Sequence, residues 1–210
     1  MVRSEPYWKG TIILGLAGRK KTGKDTAADY LVEKYSGVVK INFSDQIIKE
    51  LDTMLAAQGL SVDLENKEPF RPLLQEWGEF RRSQDEDYWI QQTGNLVDQA
   101  VKDKKKLILV CGPRSIPEFE MVHIRGGELW KIIRPALEAE QKMEESTNIT
   151  EEILDRYSKF DRYLLNDSSM ERFYEKVDKT LSELVERHEQ KKAHPEESDE
   201  IAAILRQQGE

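Results

Sequence analysis

Cysteine is almost missing from this sequence: Cys111 is the only one in 210 residues. An intramolecular disulfide and a Cys-rich zinc site are therefore excluded, and the scarcity fits a reducing compartment. Histidine is rare too, and His123, His188 and His194 fall at no metal-ligand spacing. No Ser/His/Asp or Cys/His arrangement points to nucleophilic catalysis. Long apolar runs are absent; none nears the roughly 18 residues that cross a bilayer. The opening MVRSEPYWKG has no apolar stretch, so a secretory leader is not expected and a cytoplasmic protein is. A basic excess is also lacking: 32 Lys and Arg against 40 Asp and Glu give a net charge of −8. A broad face for duplex nucleic acid is not expected from that balance, although a local basic pocket is compatible with it. No internal repeat is visible.

What remains is a polar chain, 38% hydrophobic and 34% charged, long enough for one ordinary domain with a sizeable core. Short apolar runs alternate with helical periodicities. Strands are expected at 11–17 (TIILGLA), 38–43 (VVKINF), 106–111 (KLILVC), 128–134 (ELWKIIR) and 162–166 (RYLLN). Helices are expected at about 25–35, from a Ser44 cap through Leu55, at 70–82, 87–103, 117–125 and 168–188. The span 136–157 is charged, helix-forming and weakly periodic, and 189–210 reads as a charged extension. Strand–helix alternation implies an α/β sandwich around a parallel sheet, with ligands at the strands' C-terminal edge.

The chemistry starts at that edge. GLAGRKKTGKDTAADYL (15–31) fits G-x-x-x-x-G-K-[ST] through Gly18, Gly23 and Lys24, then places Asp25 where the hydroxyl residue belongs and Thr26 one position late. Between a strand and a helix, such a turn aims backbone N–H groups inward, and the helix N-terminus adds partial positive charge. Polyanionic phosphate fits there. Arg19, Lys20, Lys21 and Thr22 complete the loop, and Lys24 is the point charge for the outer phosphates. Asp25 is a hard oxygen ligand for magnesium or a helix-dipole partner. Thr26 offers a metal-binding hydroxyl or a helix cap.

GRKKTGKDTAADYL resembles the deoxynucleoside monophosphate kinases of bacteriophage type and, more distantly, phosphomevalonate kinases. The likeness continues through INFSDQIIKEL (41–51), FRPLLQEWGEFRRSQDEDYWI (70–90), LILVCGPRSIPEFEMVHIRGGELWKIIRP (107–135) and DRYLLNDSSMERFYEKV (161–177), covering most of residues 11 to 185. It implies a three-layer P-loop kinase fold, five parallel strands in order 2-3-1-4-5 flanked by helices. It also implies one domain over 1–188, a monophosphate-binding region at about 44–104 and a lid at about 136–157.

The implied activity is transfer of the ATP γ-phosphoryl group, with Mg2+, to a (deoxy)nucleoside monophosphate. Another small phosphate ester such as phosphomevalonate, or nucleotide binding without turnover, is the alternative. The partner is then a small-molecule nucleotide substrate, with neither nucleic acid nor membrane; a homodimer is the candidate assembly. Lys24 and Arg114 are the candidate catalytic residues, and Asp25 and Thr26 the metal ligands. Arg71, Arg81, Arg82 and Arg114 are the candidate phosphate grips, with one of Arg81 and Arg82 facing inward. Their planar forks match phosphate oxygens. Phe43 and Trp77 either stack on an acceptor base or pack in the core, and Gln75 is a hydrogen-bonding candidate. Asn166 and Asp167 lie where that family contacts the donor adenine, and a plain turn explains them too. Gly112 stands where the family carries an Asp, which leaves the metal to Asp25, Thr26, the phosphates or another acid such as Glu118.

Overall fold

The structure is a computed structural model; it describes residues 10–63, 68–137 and 149–193. The side chains of 149–151 and 191–193 are outside this description. In chain order the elements are β1 (Ile12–Ala17), α1 (Lys24–Lys34), β2 (Val38–Asn42) and α2 (Phe43–Ala56). A 3-10 turn (Glu68–Phe70), α3 (Arg71–Gln84), α4 (Tyr88–Lys102), β3 (Leu107–Cys111) and α5 (Ile116–Ile124) follow. β4 (Glu128–Ile133), α6 (Ile149–Arg156), β5 (Arg162–Leu165) and α7 (Met170–Ala193) complete them.

The sheet has order β2-β3-β1-β4-β5 and every pair is parallel. This is the order the family resemblance implies. Strand side chains alternate between faces, so the sheet carries two cores. On one face Ile12, Leu14 and Leu16 of β1 join Leu107 and Leu109 of β3 under α1 and α7, with Ala28, Leu31, Phe173 and Leu181 buried there. On the other, Ile13, Ile108 and Val110 meet Val97 of α4 and Met121 and Val122 of α5. Both faces of β1 and β3 are dry, which explains runs without polar alternation. The short β–α connections then carry the loop after β1 and the loop after β3 to the same sheet edge.

Packing decides several local details, and two expectations, the Ser44 cap and the end of the last helix, need correction. Helix α1 buries Ala27, Ala28 and Leu31, while Val32 is 40% exposed, because the helix rests on β1 and β3 through its small residues. Ser44 is not the cap of α2. The helix starts at Phe43, and Asn42 holds the cap position without a side-chain cap bond, its amide donating instead to Asp45. Leu96 and Val101 are exposed, since the buried stripe of α4 runs through Trp89, Thr93, Val97 and Ala100. Helix α7 continues past residue 188, across the expected start of the extension. Of the expected lid, 138–148 lie outside the described residues, as do 194–210 of the tail. Among the described residues no helix is long and apolar enough to cross a membrane.

Candidate active site

The loop between β1 and α1 is held open by its glycines. Gly18 sits at φ 143°, and a Cβ there would lie 2.4 Å from the Ile132 carbonyl oxygen of β4. Gly23, at φ 105°, is the cap residue of α1 and provides no side-chain cap. The first N–H groups of the helix are therefore left for an external acceptor, the arrangement that binds anions. A Cβ on Gly23 would meet the Asn166 amide nitrogen at 2.6 Å.

The loop closes on one carbonyl. Arg19 O accepts from Thr22 Oγ1 at 2.9 Å and from Lys24 Nζ at 2.7 Å. Thr22 is fully buried. From the end of β5, Asn166 donates to the Thr22 carbonyl at 2.9 Å and pins the loop from outside. Burial pushes the Lys24 ammonium below its ordinary value; Asp25 opposes that and the Arg114 charge adds to it. Lys24 and Arg114 therefore act on one another across the site.

Arg19 is itself buried, 7% exposed, and pairs with Asp155 of α6 at 2.6 Å. Lys131, a buried lysine of β4, reaches the same carboxylate at 3.4 Å and donates to Leu154 O at 2.8 Å. Lys40 of β2 reaches Asp25 at 3.1 Å and Asp29 at 2.9 Å.

The helical segment beside the loop disperses the candidate arginines. Arg71 forks onto Glu68, Nε to Oε2 at 2.8 Å and Nη2 to Oε1 at 2.6 Å, and Glu68 also lies 3.6 Å from Lys20 of the loop. Arg81 turns toward α2: its Nε donates to Glu50 at 2.9 Å, and its guanidinium lies over the Trp77 and Tyr88 rings. Glu50 also accepts from Trp77 Nε1 at 3.1 Å and from the Tyr88 hydroxyl. Arg82 pairs with Glu79 at 2.5 Å, and its charge favours the ionised form of Glu118. Arg114 is exposed, and among the described residues its guanidinium has no ion pair.

Phe43 is 6% exposed among Ile41, Val97 and Val110, which makes it core. Trp77 is half-buried and Gln75 exposed. Asp167 pairs with Lys176 at 2.5 Å. Glu118 is buried as the third residue of α5, where it closes a capping box with Ser115. Burial raises its pKa, against the Arg114 and Ser115 N–H groups that it accepts from. It is committed to the helix end and is not a free magnesium acid.

The residues fit a nucleotide phosphate tail: glycine-bounded space, uncapped helical N–H groups and a lysine already at the loop. For magnesium, Asp25 and Thr26 stand at the first turn of α1, and Gly112 adds nothing. Among the described residues no group of three His, Cys, Asp or Glu side chains is assembled for a metal. A magnesium ion would thus take its other ligands from phosphate and water, as that ion commonly does. Glu50, Asp155, Lys131 and Lys40 were not singled out from sequence. A lysine set between the apolar residues of ELWKII or VVKIN is the signal, because such a cation needs a carboxylate from elsewhere.

A parallel 2-3-1-4-5 sheet carrying this loop after its first strand defines a P-loop phosphotransferase of the kinase class. A family model described as phosphomevalonate kinase matches residues 16–125, more than half of the chain. The chain belongs to the phosphomevalonate kinase family, the second of the two families its sequence resembles.

Among curated proteins it is 30% identical over 169 residues to uncharacterized protein ORF77 of Ictalurid herpesvirus 1 (strain Auburn), covering 80% of this chain and 69% of that one. With ORF76 of the same virus it shares 28% identity over 148 residues, 70% of this chain and 58% of that protein. It thus spans only part of the length of these relatives. Among solved structures it is similar to dephospho-CoA kinase from Campylobacter jejuni, with a TM-score of 0.54, 14% identity, and coverage of 84% of this chain and 98% of that one. At that identity the likeness establishes the fold.

Proposed function

We propose that this protein moves the γ-phosphoryl group of ATP onto a small acceptor that already carries a phosphate, with magnesium. The observation that carries the reading is the uncapped start of α1 at Gly23 with the half-buried Lys24 side chain beside it. ATP supplies the transferable phosphoryl group and magnesium neutralises charge on its oxygens. An acceptor phosphate oxygen bonds to the γ-phosphorus as the bond to the β-phosphate oxygen breaks, and ADP leaves.

The chain's own contribution is positioning and dispersed positive charge. The N–H groups of Lys24, Asp25 and Thr26 hold the donor phosphates, and the loop from Gly18 through Gly23 shapes their seat. The Lys24 ammonium leaves Arg19 O to meet the transferring group. Arg114 faces it from the loop after β3, with Arg82 behind. Arg71 is the acceptor grip nearest the loop once Glu68 yields it. The acceptor region over 44–104, and a lid over 136–157 within a single domain, belong to the same reading.

For the acceptor, a phosphate monoester without a base, of the phosphomevalonate kind, is favoured. Phe43 lies in the core and Trp77 is tied to Glu50, so neither offers a free ring for stacking. A deoxynucleoside monophosphate is the second reading, supported by the exposed Gln75 as a hydrogen-bonding group for a base. ADP release measured with phosphomevalonate and with the deoxynucleoside monophosphates separates them. Lys24→Ala should reduce the rate with the active acceptor by about 10²–10³-fold. ATP binding without release of ADP for any acceptor would refute the transferase reading in favour of a binding protein, and an unimpaired Lys24→Ala would refute the site.

A further inference from the structure

Asp25 and Asp29 are one helical turn apart on α1, and Lys40 reaches over from β2 to both. The carboxylates are open to solvent, 72% and 59% exposed, while the Lys40 side chain is only 20% exposed. Without that ammonium, two carboxylates at a helix start would form an oxygen pair of the sort hard divalent cations take. With it, their joint charge falls from −2 to −1, and Asp25 is already engaged.

Resting on the magnesium–nucleotide reading above, we infer that Lys40 is a positioning residue that couples metal binding to nucleotide binding. It holds Asp25 in place and offsets its charge, so the empty loop has little affinity for a free divalent ion. Phosphate oxygens then supply the ligands and negative charge that the trio lacks. The departure of Asp25 from the usual hydroxyl residue thereby gains a counterweight on the neighbouring strand.

The test is Mn2+ titration of the full chain, read by the loss of the free-ion paramagnetic resonance signal, with and without ADP. Lys40→Met should bind Mn2+ without nucleotide about tenfold more tightly than the parent. That is the effect expected on removing a unit charge about 6 Å from a dication in a water-like dielectric. The ratio of affinities with and without ADP should fall by the same factor, and adding Asp29→Asn should reverse most of the gain. Lys40→Gln, which keeps length and polarity, is the second variant if Lys40→Met fails to fold by circular dichroism. Equal nucleotide-free Mn2+ binding in parent and variant would overturn the inference. Failure of the parent to bind ADP would instead overturn the proposed function, and the nucleotide-free titration would still decide the role of Lys40.

Discussion

The guanidinium of Arg19 and the carboxylate of Asp155, 136 residues apart, meet at 2.6 Å beneath the phosphate loop. Arg19 follows the first glycine of the loop, and Asp155 lies in the last turn of α6. Lys131 shares the carboxylate, so one acid serves two buried cations.

Asp155→Ala would leave both cations without it. Breaking a buried pair costs about 3–5 kcal/mol, but Asp155 is 40% exposed. A loss of about 1–2 kcal/mol is therefore expected after allowing for solvent screening. Urea unfolding checks it. Arg19 loses this anchor in the variant, so ADP affinity should fall as well.

Glu50 makes stability depend on acid. Burial works against its charge, but hydrogen bonds from Tyr88, Arg81 and Trp77 outweigh it and hold the carboxyl below the usual range. A depressed carboxyl contributes stability that is present above its unfolded pKa of about 4.3. That contribution is lost as pH falls through the lower folded value. Glu50→Gln should be less stable near neutral pH by about 1–2 kcal/mol, the scale of a hydrogen bond to a charged group. Its stability should also decline less on acidification. Unfolding free energies between pH 3 and pH 7 for the two proteins read this directly; parallel curves would dismiss it.

Two glycines at the sheet edge should behave differently. A Cβ on Gly18 collides with backbone of β4, 2.4 Å away, so Gly18→Ala must move the loop and should abolish ADP binding. Gly112 is also at positive φ, 75°, but a Cβ there meets nothing within 4 Å. Gly112→Ala should cost only the left-handed penalty of about 1–2 kcal/mol and keep ADP binding. Melting temperature and ADP titration together test the contrast.

Arg114 and Arg81 are both candidate phosphate grips in the sequence and are unlike in place. Arg114→Ala should leave the melting temperature within a degree or two, as expected for exposed side chains away from packed features. It should still remove most turnover. Arg81→Ala breaks the Glu50 pair and two ring contacts, and should lower stability by about 1–2 kcal/mol. Similar melting losses in both variants would contradict this division.

The phosphate loop was legible because its chemistry is local. Gly18, Gly23 and Lys24 are close in the chain, follow an apolar run and precede a helix, and the structure keeps them in that order. The strands were legible for a similar reason: LILVC is too apolar to be anything but buried. The fates of the arginines were not legible. Arg71, Arg81, Arg82 and Arg114 all read as phosphate grips, Arg114 as catalytic too and one of Arg81 and Arg82 as facing inward, yet Glu68, Glu50 and Glu79 engage three of them. Phe43 looked as available as Trp77 until the packing of α2 against β2 and β3 placed it in the core.

By itself, the sequence determined the alternation of elements, the glycine-bounded loop and its charge, because backbone permissiveness and hydrophobic burial act over a few neighbouring residues. The tertiary structure alone decided which carboxylate each cation meets. Coulomb energy depends on distance in space, and only the packing of β2, β4, α2, α3 and α6 around the loop set those distances. Lys40 with Asp25, and Arg19 with Asp155, are relationships that the folded chain creates.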